Sequence, residues 1–164
     1  MLKNLVEWLL STQLSQAIQE VEWIVPTLQT IHILFIAVVL SSVAMIILRV
    51  LGLIGRSWTI YETARRFLPW IWTALIALVI TGALLLIGEP KRSLLNPVFQ
   101  SKMAMLATMI VVTAVFQRSI YRNKDAWDET VQVRPAARLI GGVSLLIWVC
   151  IIIAGRWIAY VSVP

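Results

Sequence analysis

Histidine and cysteine occur once each in this chain of 164 residues, and acidic side chains only eight times. The single cysteine, Cys150, excludes an intrachain disulfide and any cysteine-based zinc cage. No acid stands at a recognisable catalytic spacing from the single histidine, His32, and no glycine-rich phosphate loop follows a strand. Hydrolase and kinase chemistry therefore have no support, and no catalytic constellation is visible. Charge is scarce as well. Charged residues make up 13% of the chain, against about 25% in soluble proteins.

What replaces them is apolar. Hydrophobic residues reach 60% and the mean hydropathy is +0.87, which at this length is the composition of an integral membrane protein. Four long apolar segments run over about 27–54, 68–87, 102–121 and 139–163. Each has the roughly 20 residues that a helix needs to cross about 30 Å of hydrocarbon. They are too long for barrel strands, which alternate over about 10 residues, so helices remain. The expected fold is all-α, a four-helix transmembrane bundle forming one domain over 1–164.

The net charge of +6 does not indicate nucleic acid, because the basic residues lie in connections between apolar runs. Nine of them, Arg49, Arg56, Arg65, Arg66, Arg118, Arg122, Lys124, Arg134 and Arg138, fall in the first and third connections. Five, Lys3, Lys91, Arg92, Lys102 and Arg156, fall on the other side. The positive-inside rule then puts both termini on the periplasmic side of a bacterial inner membrane. Trp58, Tyr61, Trp70, Trp72, Tyr121 and Trp127 gather at the inner boundary and Trp8, Trp23, Trp157 and Tyr160 at the outer, as anchors would. Trp148 is mid-span and is expected to pack inside the bundle. Asp125, Asp128 and Glu129 face basic residues in the third connection, a solvated and partly paired loop.

Residues 1–25 repeat apolar side chains at helical spacing opposite Lys3, Glu7, Gln16 and Glu20, with a break near Ser11-Thr12. Glu7 interrupts the apolar core and no small-residue cleavage site follows, so the segment is read as a retained interfacial helix, not a signal peptide. Pro26 suits the first turn of the first span.

His32 is the sharpest feature. It lies about six residues into the first span, roughly 9 Å deep, and an ionisable group there is a functional candidate by default. Arg156 lies roughly 7–8 Å inside the fourth span from the same side. Glu89, Lys102, Gln29, Asn96 and Tyr160 complete an outer-leaflet polar layer to which every span contributes. One reading is a hydrogen-bonded network tying helix ends, with Arg156 snorkelling to head groups. A second is haem, with His32 as iron ligand and Arg156 or Lys102 on propionates. A third is a quinone or lipid head-group pocket with His32 donating to a carbonyl. A fourth is copper on His32 with Met103, a thin ligand set. The inner half carries little besides Ser41, Ser42, Thr73 and Thr113, and is expected to be ordinary packing.

Three patches together carry a resemblance: Thr30-Ile31-His32, Asn96-Pro97-Val98-Phe99 with Lys102, and Gly155-Arg156-Trp157-Ile158-Ala159-Tyr160. The chain resembles a family of small uncharacterised bacterial inner-membrane proteins of about this length. More distantly it is similar to the membrane domains of copper-resistance D-type proteins and small b-type cytochromes. It has one histidine where the cytochrome pattern has two, so a second axial ligand would come from a second copy or a partner. Small size and the lack of a catalytic set favour a non-catalytic accessory or anchoring subunit of a larger membrane assembly. The alternative is a redox or ligand-binding protein holding haem or quinone around His32 and Arg156.

Overall fold

The computed structural model describes residues 2–55, 57–124, 127, 135–158 and 160–161. Arg56, Asp125, Asp128, Glu129, Arg134, Ala159 and Val163 lie outside the described residues, so the charge pairing expected in the third connection does too. The described elements are all helical: α1 (Leu2–Leu10), α2 (Gln13–Glu20), α3 (Ile24–Val50), α4 (Ile60–Gly88), α5 (Pro90–Leu94), α6 (Pro97–Arg122) and α7 (Pro135–Trp157). Among the described residues, α3, α4, α6 and α7 are long and apolar enough to span a bilayer. The protein is a multi-pass, four-helix transmembrane bundle. Side chains such as Leu34, Ile76, Val115 and Leu146, each more than 60% exposed, face the lipid.

Capping chemistry, more than hydropathy, sets the helix ends. The span expected to begin near 68 begins at Ile60. Thr59 and Glu62 form a reciprocal cap there, Oγ1 accepting from the Glu62 amide at 3.1 Å and Oε2 from the Thr59 amide at 2.9 Å. Arg65, Arg66 and Pro69 are consequently inside α4. Pro69 has no amide to offer the carbonyl one turn back. The third span begins at Pro97, not near 102, because Asn96 Oδ1 accepts from the Val98 amide at 2.9 Å and proline suits the first helical position. The first span stops at Val50, not at 54, in a turn where Gly52 and Gly55 take φ of +76° and +62°. The fourth runs from Pro135 to Trp157 where 139–163 was expected.

The core is centred on α3 and α4. Val39, Val43, Ile46 and Val50 are buried at three- and four-residue spacing, facing Ala64, Leu68, Ile71 and Leu75 of α4. Gly141 of α7 lies against this core, where a Cβ would make an ordinary contact with Ile47 at 3.5 Å. Trp148 is buried, as its mid-span position implied. Arg49, assigned to a connection from sequence, is instead buried in the last turn of α3, with Nε donating to the Trp58 carbonyl at 2.6 Å.

The break expected near Ser11-Thr12 separates α1 from α2. Both pack over the end of the bundle where α4 finishes, here termed the capped end. Ser15 is fully buried and Oγ donates to the Ile87 carbonyl at 2.8 Å. Gly88 gives Ile18 its seat, because a Cβ at that position would lie 2.8 Å from Ile18 Cγ2. Leu5, Trp8, Leu14 and Trp23 remain exposed.

Candidate functional site

At the capped end, α3 presents His32 to α4, half-buried, with Nδ1 2.7 Å from Thr81 Oγ1. The Thr81 hydroxyl also stands 2.8 Å from the Ala77 carbonyl oxygen. A carbonyl cannot donate, so that contact takes the single hydroxyl proton. In that arrangement His32 donates from Nδ1, while the 2.7 Å contact by itself fits either tautomer of the ring. A neutral ring held this way carries its lone pair on Nε2. No hydrogen bond is made by Nε2 among the described residues.

Backbone shape makes room for the ring. A Cβ on Gly82 would lie 3.4 Å from His32 Cε1, so this glycine lets the imidazole rest against α4. A second glycine does the same for Lys102 of α6. A Cβ on Gly155 of α7 would lie 3.3 Å from Nζ, placing the ammonium against the α7 backbone. Lys102 is half-buried and makes no hydrogen bond or ion pair among the described residues. Two ionisable side chains thus each lean on a glycine of a neighbouring helix, His32 of α3 on α4 and Lys102 of α6 on α7.

The remaining residues of the expected polar layer are distributed differently. Asn96 is fully buried, but both ends of its amide are engaged. Oδ1 caps α6, and Nδ2 donates to the Ile158 carbonyl at 3.3 Å. It fastens the start of α6 to the end of α7. Glu89 gives its carboxylate to Arg92 at 2.9 Å, an exposed pair, and leaves Lys102 unneutralised. Arg156 is exposed and donates to Tyr160 Oη at 2.9 Å with its guanidinium 5.3 Å from that ring. These two form a rim. Gln29 is exposed and makes no hydrogen bond among the described residues. The structure therefore sets His32 against α4 and Lys102 against α7, and leaves Arg156 and Tyr160 at the edge.

Thr81, Gly82 and Gly155 went unrecognised as parts of a site in the sequence. Thr81 lies seven residues before Gly88, roughly 10 Å from that helix end, which is the depth of His32 counted along α3. A threonine-glycine pair at matching depth in an apolar run was the available signal. The described residues contain no group of three or more His, Cys, Asp or Glu able to hold a metal ion.

The other half of the bundle departs from the expectation of plain packing. Ser41, Thr73 and Thr113 do bond back to carbonyls of the preceding turn, at 2.8, 3.0 and 2.8 Å. Yet a cavity of about 740 Å³ opens between the four spans there, with walls that include Ile47, Ile71, Met109, Phe116, Ser144 and Trp148.

No curated protein and no solved structure matches this chain. A family profile does, over residues 6–161, and the chain belongs to that family, DUF6644, a family of unknown function.

Proposed function

We propose that this membrane protein binds a b-type haem at its capped end, with His32 Nε2 as an axial ligand. The observation that carries the reading is the 2.7 Å contact of His32 Nδ1 with the Thr81 hydroxyl, which leaves Nε2 without a hydrogen bond among the described residues. Metal-ligating histidines almost always donate their other ring N–H in this way, which fixes the tautomer and the ring plane. Lys102, a buried-side cation without a partner among the described residues, suits a propionate. Arg156 and Tyr160 offer polar atoms at the rim. The chain has one histidine, so a second protein ligand would come from His32 of another copy or from a partner protein. The basic connections put the capped end on the periplasmic side of a bacterial inner membrane in this reading.

The test is an absorption spectrum, oxidised and reduced, of protein gently extracted from its native membrane. The expected result is a Soret band that His32→Ala removes and Glu89→Gln leaves. A His32→Ala variant with full haem content would overturn the proposal. So would a featureless spectrum from an extraction shown to retain haem in other membrane proteins.

A non-catalytic accessory or anchoring subunit is the second reading, and α6 favours it. Along 26 residues this helix buries only Met109, Thr113 and Ile120. So much uncovered surface on a helix suits contact with another membrane protein as well as with lipid. Mild solubilisation followed by sizing tests it. Recovery of the chain strictly alone would sink it.

A further inference from the structure

We infer that the recess at the turn between α3 and α4 is a phosphate site, in which the two η nitrogens of Arg49 donate to the phosphate oxygens of a phospholipid head group. The site lies at the end of the bundle opposite His32 and does not depend on the haem reading.

Arg49 is only 6% exposed, and its side chain makes one hydrogen bond among the described residues, from Nε to the Trp58 carbonyl at 2.6 Å. A guanidinium offers five N–H donors, so those on the η nitrogens are left over. No acid pairs with them. The described residues hold a single ion pair, Arg92 with Glu89 at the capped end. Glu62, the acid nearest in sequence, gives Oε2 to the Thr59 amide at 2.9 Å. The η nitrogens are not sealed in either. Among the described residues, Trp148 Nε1 is the one side-chain polar atom both closed off and without a partner. A buried cation is normally paired, so Arg49 calls for an anion that can reach it.

Local structure fixes this cation in place. Gly52 and Gly55 take φ of +76° and +62°, and the Trp58 amide donates to the Gly55 carbonyl at 3.0 Å. The chain thereby turns so that the Trp58 carbonyl meets Arg49. The arginine stem lies against Gly55, where a Cβ would stand 3.5 Å from Cδ. A second cation rests on the same tryptophan. The Arg66 guanidinium carbon is 4.9 Å from the Trp58 ring centroid, and Arg66 makes no ion pair among the described residues. Two uncompensated arginines on one tryptophan make a positive corner, and a planar guanidinium matches phosphate oxygens two at a time.

Arg49, Gly55, Ser57 and Trp58 line a recess of about 240 Å³, and Met45 and Ile54 add apolar wall. Water could satisfy the N–H groups there but brings no charge, whereas a phosphate does both. Depth selects its source. The 27 residues of α3 make a helix roughly 40 Å long, which is about the thickness of a bilayer with its head-group layers included. Arg49 is the last residue but one of that helix, so it lies at the level of lipid phosphates. The apolar walls suit the glycerol and first methylenes of such a lipid, and free phosphate would leave them wet.

The experiment uses the whole chain in detergent micelles and native mass spectrometry, which counts bound lipids. The probes are dioleoylphosphatidylglycerol, dioleoylglycerol, which keeps the tails and lacks the phosphate, and inorganic phosphate. The wild type is expected to bind its first phosphatidylglycerol about 10–100-fold more tightly than the diacylglycerol, the worth of hydrogen bonds to a charged group. Arg49→Gln should abolish that preference. Ser57→Trp, a change at an exposed position on the recess, should block the lipid without altering Arg49, and it decides the matter if Arg49→Gln fails to fold. Arg122→Gln, exposed at the same membrane boundary, should change nothing. Equal binding of the two lipids to the wild type would overturn the inference, as would a preference that survives Arg49→Gln or Ser57→Trp. A preference lost equally in Arg122→Gln would also overturn it, in favour of diffuse surface charge. Displacement of the bound lipid by inorganic phosphate would overturn the lipid source and make free phosphate the ligand.

Discussion

Replacing Thr81 by valine removes one hydroxyl and almost no volume, and its consequences are calculable from two distances. Thr81 is 7% exposed. Its hydroxyl oxygen stands 2.8 Å from the Ala77 carbonyl oxygen and 2.7 Å from His32 Nδ1, placed to donate to the first and accept from the second. The carbonyl loses little, because it keeps its place in the backbone ladder of α4. The histidine loses its only hydrogen bond. A net hydrogen bond is worth about 1 kcal/mol, and a donor left buried and unsatisfied costs about 1–3 kcal/mol. The half-buried ring can avoid the larger cost by moving its proton to Nε2. Thr81→Val is therefore expected to cost about 1–2 kcal/mol of stability and to invert the tautomer of His32. Because the chain has one histidine, selective 15N-imidazole labelling gives one unambiguous pair of ring resonances. The wild type should show a protonated Nδ1 and a bare Nε2. Thr81→Val should shift protonation toward Nε2, and Thr81→Ser should restore the original pattern. Where haem binds, the same change should weaken it about 10–100-fold, as loss of an outer partner of a metal ligand does. A wild-type spectrum with the proton on Nε2, or a valine variant with unaltered ring resonances, would refute the relay.

Gly88→Ala is expected to loosen α2, because the new Cβ would stand 2.8 Å from the β-branched Ile18 Cγ2. Overpacking of this kind costs about 1–3 kcal/mol, seen as faster amide exchange across Gln13–Glu20. Gly142→Ala, with nothing within 4 Å of its Cβ, is the control, and unchanged protection in Gly88→Ala would show that α2 does not dock there. Asn96→Ala removes both the α6 cap and the tie to Ile158, an expected loss of about 1–2 kcal/mol in detergent-induced unfolding. A smaller loss than that of an exposed polar control would contradict its role as a fastener. Gly82→Val places bulk where His32 Cε1 rests, so the ring resonances should move while Thr81 remains in place. Their constancy would mean that the ring does not lean on α4.

Burial on both sides of a polar atom separates the residues that sequence could assign from those it could not. The depth of His32 and of Lys102 follows from counting along an apolar run, and their proximity to one another was expected on that ground. Counting also gave Arg156 the same depth, yet its long side chain turns outward to Tyr160, as depth alone does not specify direction around a helix. Asn96 was assigned to the site by its polarity and its place near the membrane boundary. Its amide is instead consumed by a cap and an interhelical tie, a local turn that hydropathy does not register.

By itself the sequence determined the class of molecule and the order of its parts. Four apolar runs of spanning length leave lipid as the surrounding and helices as the only continuous structure, because every backbone polar group in hydrocarbon must bond within its own segment. The amphipathic start and its break near Ser11-Thr12 follow from the helical period, and the interior position of Trp148 from its mid-span depth. Tertiary structure decided which side of each span meets which neighbour. That choice put Thr81 beside His32, set Gly82 and Gly155 under two ionisable side chains, and buried Trp148 in the wall of a cavity between the spans. Spans that are apolar all round carry little record of their own rotation, since lipid and protein core reward the same side chains, and only packing between helices distinguishes one face from another.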